Sequence, residues 1–153
     1  MPLHIAPVTA ADLGRCATLF REVFSQPPWN ETWDLRDIVT RLTEMVDSPG
    51  FFGIGAFDDA HLIGMAVGNI QQWNRSRELF IKEVCIRADR QRGGIGTAMI
   101  VRMRADMMSM GVGKIFCLTD RGSIAEGFYR KNGFYLSGRL GYMGLRLTAE
   151  GAA

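Results

Sequence analysis

Two hydrophobic periods alternate along this chain, and their order outlines a fold before any single residue is considered. Residues 3–8 alternate as a short strand does, and Thr9 stands as N-cap to a helix over 11–24, whose Leu13, Ala17, Phe20 and Phe24 share one face. Ser25-Gln26-Pro27-Pro28 ends that helix, because proline lacks an N–H and pushes the residue before it out of the helical region. A second helix is predicted over 34–46, stopping before Ser48-Pro49-Gly50. Residues 51–57 and 62–73 are β-rich runs around the turn-prone Asp58-Asp59-Ala60-His61 and should pair antiparallel. Polar residues 74–78 read as a loop into a strand over 79–86. Next come a long helix ending at Gly111, a strand over 114–119, a helix over 123–132 closed by Gly133, and final strands over 134–136 and 142–147.

That order predicts an α/β fold, a single domain over 1–153 with a mixed sheet of six or seven strands flanked by helices. The strand–helix–strand unit from 79 to 119 requires a right-handed crossover between neighbouring parallel strands. Its first turn therefore lies at the carboxyl edge of the sheet, where open α/β sheets bind ligands.

The turn is Arg90-Gln91-Arg92-Gly93-Gly94-Ile95-Gly96-Thr97. A helix leaves its first N–H groups without intrahelical partners and carries partial positive charge there, so an anion satisfies both. Glycines let that anion approach the main chain, and the segment reads as a cradle for a phosphorylated ligand. Two familiar phosphate loops do not fit. A P-loop needs lysine after its last glycine, and Gly96 is followed by Thr97-Ala98. A dinucleotide fingerprint from Gly94 needs a small residue where Met99 stands and an acidic residue near Lys114, which has none beside it.

Composition narrows the picture. Hydrophobic residues make up 47% of the chain, a globular figure, and 18 basic residues against 16 acidic ones are too balanced for a nucleic-acid protein. Cys16, Cys85 and Cys117 are too far apart for a metal or redox motif, no metal is expected, and their odd number fits a cytoplasmic protein. Neither an export signal nor a membrane span is read. Met99, Met103, Met107, Met108 and Met110 fall largely at helical spacing and read as core filling.

Gln91-Arg92-Gly93-Gly94-Ile95-Gly96 resembles the Q/R-x-x-G-x-G/A motif of the GNAT N-acetyltransferase superfamily. Ala125-Glu126-Gly127-Phe128-Tyr129-Arg130-Lys131-Asn132-Gly133-Phe134 is similar to the family's A-x-x-F-Y-x-x-x-G-F segment, and follows after one intervening strand. Gly122 stands where the family often has Asn, and Ala88 where it often has proline. The resemblance implies a GNAT-like acyl-CoA N-acyltransferase fold, with acetyl-CoA as acyl donor. It also implies that the strand over 79–86 splays from the one over 114–119, freeing main-chain groups near Cys85 and Ile86 for the pantetheine arm. Gln91, Arg92, Gly93, Gly94, Ile95, Gly96 and Thr97 would then hold the diphosphate, with Arg92, Phe128, Arg130 and Lys131 near the coenzyme.

An acceptor amine is protonated at neutral pH, its ordinary pKa being about 10.4, so transfer needs a base. The resemblance places Glu83 in that role, and the bland alternative is an ion pair with Lys82, Arg87 or an arginine of a neighbouring strand. Tyr129 matches the family's general acid; its alternative is packing with Phe128 and Phe134. A backbone N–H near Cys85 would hold the oxyanion. Cys85 itself reads as a buried structural thiol, with no histidine motif to activate it, so direct attack in a ternary complex is expected. Trp29, Glu31 and Trp33, with Tyr142 and Trp73, suit the wall of a cationic amine pocket, unless the tryptophans merely staple the helices to the core. The acceptor is thus a small-molecule or peptide amine, with protein N-termini and lysines open. A non-catalytic acyl-CoA-binding module is the alternative, and the late strands offer edges for a homodimer.

Overall fold

The computed structural model describes residues 3–147. Two compact units divide the chain, the first reaching Thr119 and the second starting at Asp120. In the first are β1 (His4–Pro7), α1 (Leu13–Phe24), α2 (Leu35–Asp47), β2 (Phe51–Asp58), β3 (His61–Trp73), β4 (Ser76–Ile86), α3 (Ile95–Ser109) and β5 (Lys114–Cys117), with short 3₁₀ turns at Ala10–Asp12 and Ala88–Arg90. The second holds α4 (Ile124–Lys131).

Five strands form one sheet in sequence order. β1 to β4 pair antiparallel, and β5 joins β4 in parallel after the crossover through α3. Local chemistry explains the helix ends. Thr9 and Asp12 form a reciprocal capping box at the turn that opens α1, and the Asp34 carboxylate accepts from the Arg36 amide at 2.8 Å to cap α2. Cys16, Ala17, Leu19, Phe20, Val23 and Phe24 of α1 pack with Ile38, Leu42 and Met45 of α2 over Met65, Val67 and Cys85 of the sheet. Asn69 Nδ2 donates to the Met45 carbonyl at 3.1 Å and ties α2 to β3. In α3, Met99, Met103 and Met107 are buried at four-residue spacing, whereas Met108 and Met110 are exposed. Cys85 belongs to the α1–α2 cluster, while a Cβ on Gly64 would touch both Ile86 and Met99, so α3 covers the opposite face of the sheet.

One irregularity in β4 governs the site. Gly68 pairs with Ile81 but its neighbour Val67 pairs with Glu83, leaving Lys82 as an extra residue, a β-bulge. In a regular strand Phe80 and Glu83 would face opposite sides. Here Phe80 lines a cavity with Arg41 and Met45 of α2, and Glu83 bonds Arg41, so the bulge has turned both toward α2. Gly68 makes this possible: a Cβ there would lie 2.0 Å from the Phe80 carbonyl oxygen.

Some sequence expectations need correction. β4 begins at Ser76 rather than at residue 79, because Trp73 pairs Ser76 and the polar loop contracts to a tight turn. Among the described residues the sheet has five strands instead of six or seven. Residues 134–136 and 142–147 alternate as strands do, yet no ladder partner meets them among the described residues, and Tyr142, Met143, Leu145 and Leu147 are 84–94% exposed. Alternation marks a strand only where a neighbour supplies hydrogen bonds. In the second unit Ser123 caps α4, and Phe134 N–H to Tyr129 C=O with Gly133 N–H to Arg130 C=O close it as a Schellman motif, Gly133 having φ +91°.

Gly68→Ala should destabilise the fold by about 2–3 kcal/mol, since main chain must move to admit the methyl. Gly93→Ala, where a Cβ meets only the Arg90 carbonyl oxygen at 3.6 Å, should cost far less. Urea unfolding of the two variants checks this.

Candidate active site

The first part of the site is the turn into α3. Arg92 at φ +63° and Gly94 at φ +81° bend the chain through left-handed conformations, which glycine accepts freely and arginine at a cost. Gly94 takes the N-cap position without a side-chain cap, and the first bond into α3 runs from Ala98 N–H to Gly94 C=O at 3.0 Å. The amides of Ile95, Gly96 and Thr97 therefore donate to nothing among the described residues, at the positive end of a 15-residue helix. Two contacts hold this turn in place. Arg90 donates to Asp58 at 2.6 Å, which keeps the Asp58 carboxyl below its ordinary range, and Gln91 Nε2 donates to the Ile86 carbonyl at 2.9 Å. A Cβ on Gly94 would project into open space, and one on Gly93 would meet only the Arg90 carbonyl oxygen at van der Waals distance, so the main chain here is free to meet a ligand.

The second part is a free strand edge. β5 pairs with β4 only from Glu78 to Ile81, whereas β3 follows β4 on to Ile86. Beyond Ile81 the parallel neighbour is gone, which is the expected splay. Which groups face the gap follows from strand alternation. Arg87 N–H donates to Ile63 of β3 at 2.9 Å, so Cys85 also directs its main chain to β3, while Val84 and Ile86 direct theirs outward. The outward amide near Cys85 is thus that of Val84, the main chain of Cys85 itself being directed to β3, and the Ile86 carbonyl is already bonded by Gln91.

Glu83 stands between these parts on the α2 side. Arg41 Nε donates to its Oε1 at 2.6 Å, with the Glu83 side chain 12% exposed and that of Arg41 41% exposed. Burial raises the Glu83 pKa; the Arg41 charge and hydrogen bond pull it down without cancelling that, and Glu31 adds a smaller upward push. Its partner is thus a helix arginine, not Lys82, Arg87 or a strand arginine. Burial also lifts the Cys85 thiol well above its ordinary value, and that of Cys16 beside it to about 12, so neither is a thiolate at neutral pH.

The family model described as Acetyltransferase (GNAT) family matches residues 15–134, most of the chain. The chain belongs to the GNAT acetyltransferase family. Solved structures agree in fold. An aminoglycoside acetyltransferase, meta-AAC0020, from an uncultured soil metagenomic sample in complex with sisomicin superimposes with TM-score 0.75 at 18% identity, over 95% of this chain and 97% of that one. A possible acetyltransferase from Clostridium difficile 630 gives 0.81 at 12% identity, over 97% and 100%. The aminoglycoside N-acetyltransferase AAC(6')-Iy in complex with CoA gives 0.75 at 15% identity, over 95% of each chain. The comparison with curated proteins finds no match.

The other residues singled out in the sequence fall as follows. Trp33 packs edge-on against Phe20 at 5.0 Å and donates to Glu31 at 2.6 Å, and Trp29 packs against Phe24 at 5.2 Å. Both tryptophans therefore brace the helices, and Glu31 remains exposed near Glu83. Trp73 lies at the far end of β4's hairpin, about 23 Å along the strand from Glu83 at the usual rise per residue. Phe128, Tyr129, Lys131 and Tyr142 belong to the second unit, where the Tyr129 ring meets Phe128 at 5.3 Å and Phe134 at 5.1 Å, and Lys131 is exposed. Arg130 lies 3.7 Å from Glu126 as an ion pair. Among the described residues no cluster of potential ligands could hold a metal, and no helix is long and apolar enough to cross a membrane. Sequence reasoning missed Arg41. Nothing in a helix pattern marks which of its arginines meets a carboxylate 42 residues away.

Because the folded Glu83 pKa exceeds the unfolded one, folding binds a proton there, and stability falls as pH rises from the ordinary glutamate range through the raised value. Glu83→Gln should remove that slope. Arg41→Met should steepen it, costing about 1 kcal/mol more at pH 8 than at pH 4, a modest figure because Arg41 is well solvated. Thermal unfolding of both variants across this range is the check.

Proposed function

We propose that this chain acetylates an amine by direct attack on acetyl-CoA in a ternary complex. The observation that carries the reading is one carboxylate, Glu83, on the stretch of β4 beyond Ile81 that has lost its parallel neighbour, with unpaired helix amides at the carboxyl end of the same strand. Those amides suit a diphosphate, and the outward main chain of Val84 and Ile86 suits the amide groups of a pantetheine arm, in the manner of an added strand. The CoA complex of the similar AAC(6')-Iy supports the choice of coenzyme. When bound, it supplies an activated thioester whose carbonyl an amine can attack.

Each residue then has a task. Glu83 takes the proton from the incoming ammonium, directly or through a water; burial raises its pKa, which strengthens it as a base, and Arg41 opposes that rise. The Val84 N–H donates to the oxygen on which negative charge develops. Tyr129, a phenol of ordinary pKa about 10, returns a proton to the departing thiolate. Cys85 takes no part, since its buried thiol is held neutral.

A thiol-release assay with a panel of amines tests the reading. Glu83→Gln should lower kcat by about 10²- to 10⁴-fold while calorimetry shows unchanged acetyl-CoA affinity. Cys85→Ala should keep most of its turnover, and Gly94→Val, forced to φ +81°, should weaken coenzyme binding about tenfold or more. Tight coenzyme binding with no turnover of any amine by the wild type would instead identify an acyl-CoA-binding module.

A further inference from the structure

A cavity of about 520 Å³ opens between α2 and β4 where β5 departs, lined by Arg41, Glu44, Met45, Ser48, Phe80, Ile81, Lys82 and Leu118. That volume suits a small metabolite. Arg41 joins it to the proposed base, its Nε bonding Glu83 while its side chain also lines the cavity. The terminal nitrogens of Arg41 make no hydrogen bond among the described residues. Lys82, placed on this wall by the bulge, makes no ion pair among them and lies 5.8 Å from the Phe80 ring centroid. The one acid on the wall, Glu44, is exposed and makes no ion pair among the described residues.

The face is therefore two-signed. Glu83 and the nearby Glu31 form its negative side, and Lys82 with the free end of Arg41 forms its positive side, two cations against the single Glu44 carboxylate on that wall. A polycation such as an aminoglycoside would bring its extra ammonium groups against two cations, a repulsion that discriminates as effectively as a clash. An amine that also carries a carboxylate satisfies both sides: its ammonium meets Glu83, and its carboxylate meets a forked guanidinium and an ammonium, both strong charge-assisted donors. Resting on the acetyl-transfer reading above, we infer that the acceptor is an amino-carboxylate, with its carboxylate held by Lys82 and Arg41 in this cavity.

The test compares leucine, leucinamide and 3-methylbutylamine, a series of ω-amino acids with growing separation of amine and carboxylate, and sisomicin, all in the thiol-release assay. Carboxylated acceptors should lead their amide or plain-amine counterparts at least tenfold in kcat/KM, through KM. Lys82→Met should reduce that ratio at least tenfold, Lys82→Glu should invert it, and Lys82→Arg should retain it, with acetyl-CoA affinity measured alongside to confirm folded protein. Equal or better turnover of leucinamide, the plain amine or sisomicin would overturn the inference and leave acetyl transfer standing, as would a Lys82→Met loss shared equally by all acceptors. Failure of every amine with wild-type protein would sink both.

Discussion

One surplus residue in β4 decides where chemistry can occur on this molecule. With Lys82 bulged out, the strand's later side chains change sides, and a carboxylate that would otherwise face α3 stands under α2 beside Arg41. The bulge can form because Gly68 leaves room for the Phe80 carbonyl, and it lies at the point where β5 ceases to pair. A bulge sharpens local twist, so loss of the parallel partner and reversal of side-chain parity are parts of one distortion. The free edge, Glu83 and the cavity wall all depend on it.

Electrostatics sets the tone of the resulting face. Glu83 is buried enough to raise its pKa, and the Arg41 charge and hydrogen bond limit that rise. Across the sheet edge the problem is reversed: amides at the start of α3 lack acceptors and carry the helix's positive end. An anionic coenzyme answers the second need, and an ammonium group the first. The proposed reaction brings both to the same few residues of β4.

Much of this could be read from sequence because it is local. Thr9, Asp34 and Ser123 announce helix starts, and each caps as a short polar residue before an apolar run should. The glycine turn before α3 and the Phe128-Tyr129 block named the family, which the match over residues 15–134 bears out. What escaped was non-local. Residues 142–147 have no ladder partner among the described residues, Arg41 meets Glu83 only once α2 lies over the sheet, and hydrogen-bond parity decides that the outward amide near Cys85 is that of Val84. The bulge itself left one sequence trace, a glycine inside a strand pattern, which signals close backbone approach without saying whose.

Amide hydrogen exchange with and without acetyl-CoA tests the central claim most directly, because it reports on the N–H groups themselves. The account predicts that the amides of Val84, Ile95, Gly96 and Thr97 exchange rapidly in the free protein and become strongly protected with coenzyme, while Arg87, already bonded to β3, changes little. Saturating coenzyme with no gain of protection at these four amides would contradict it.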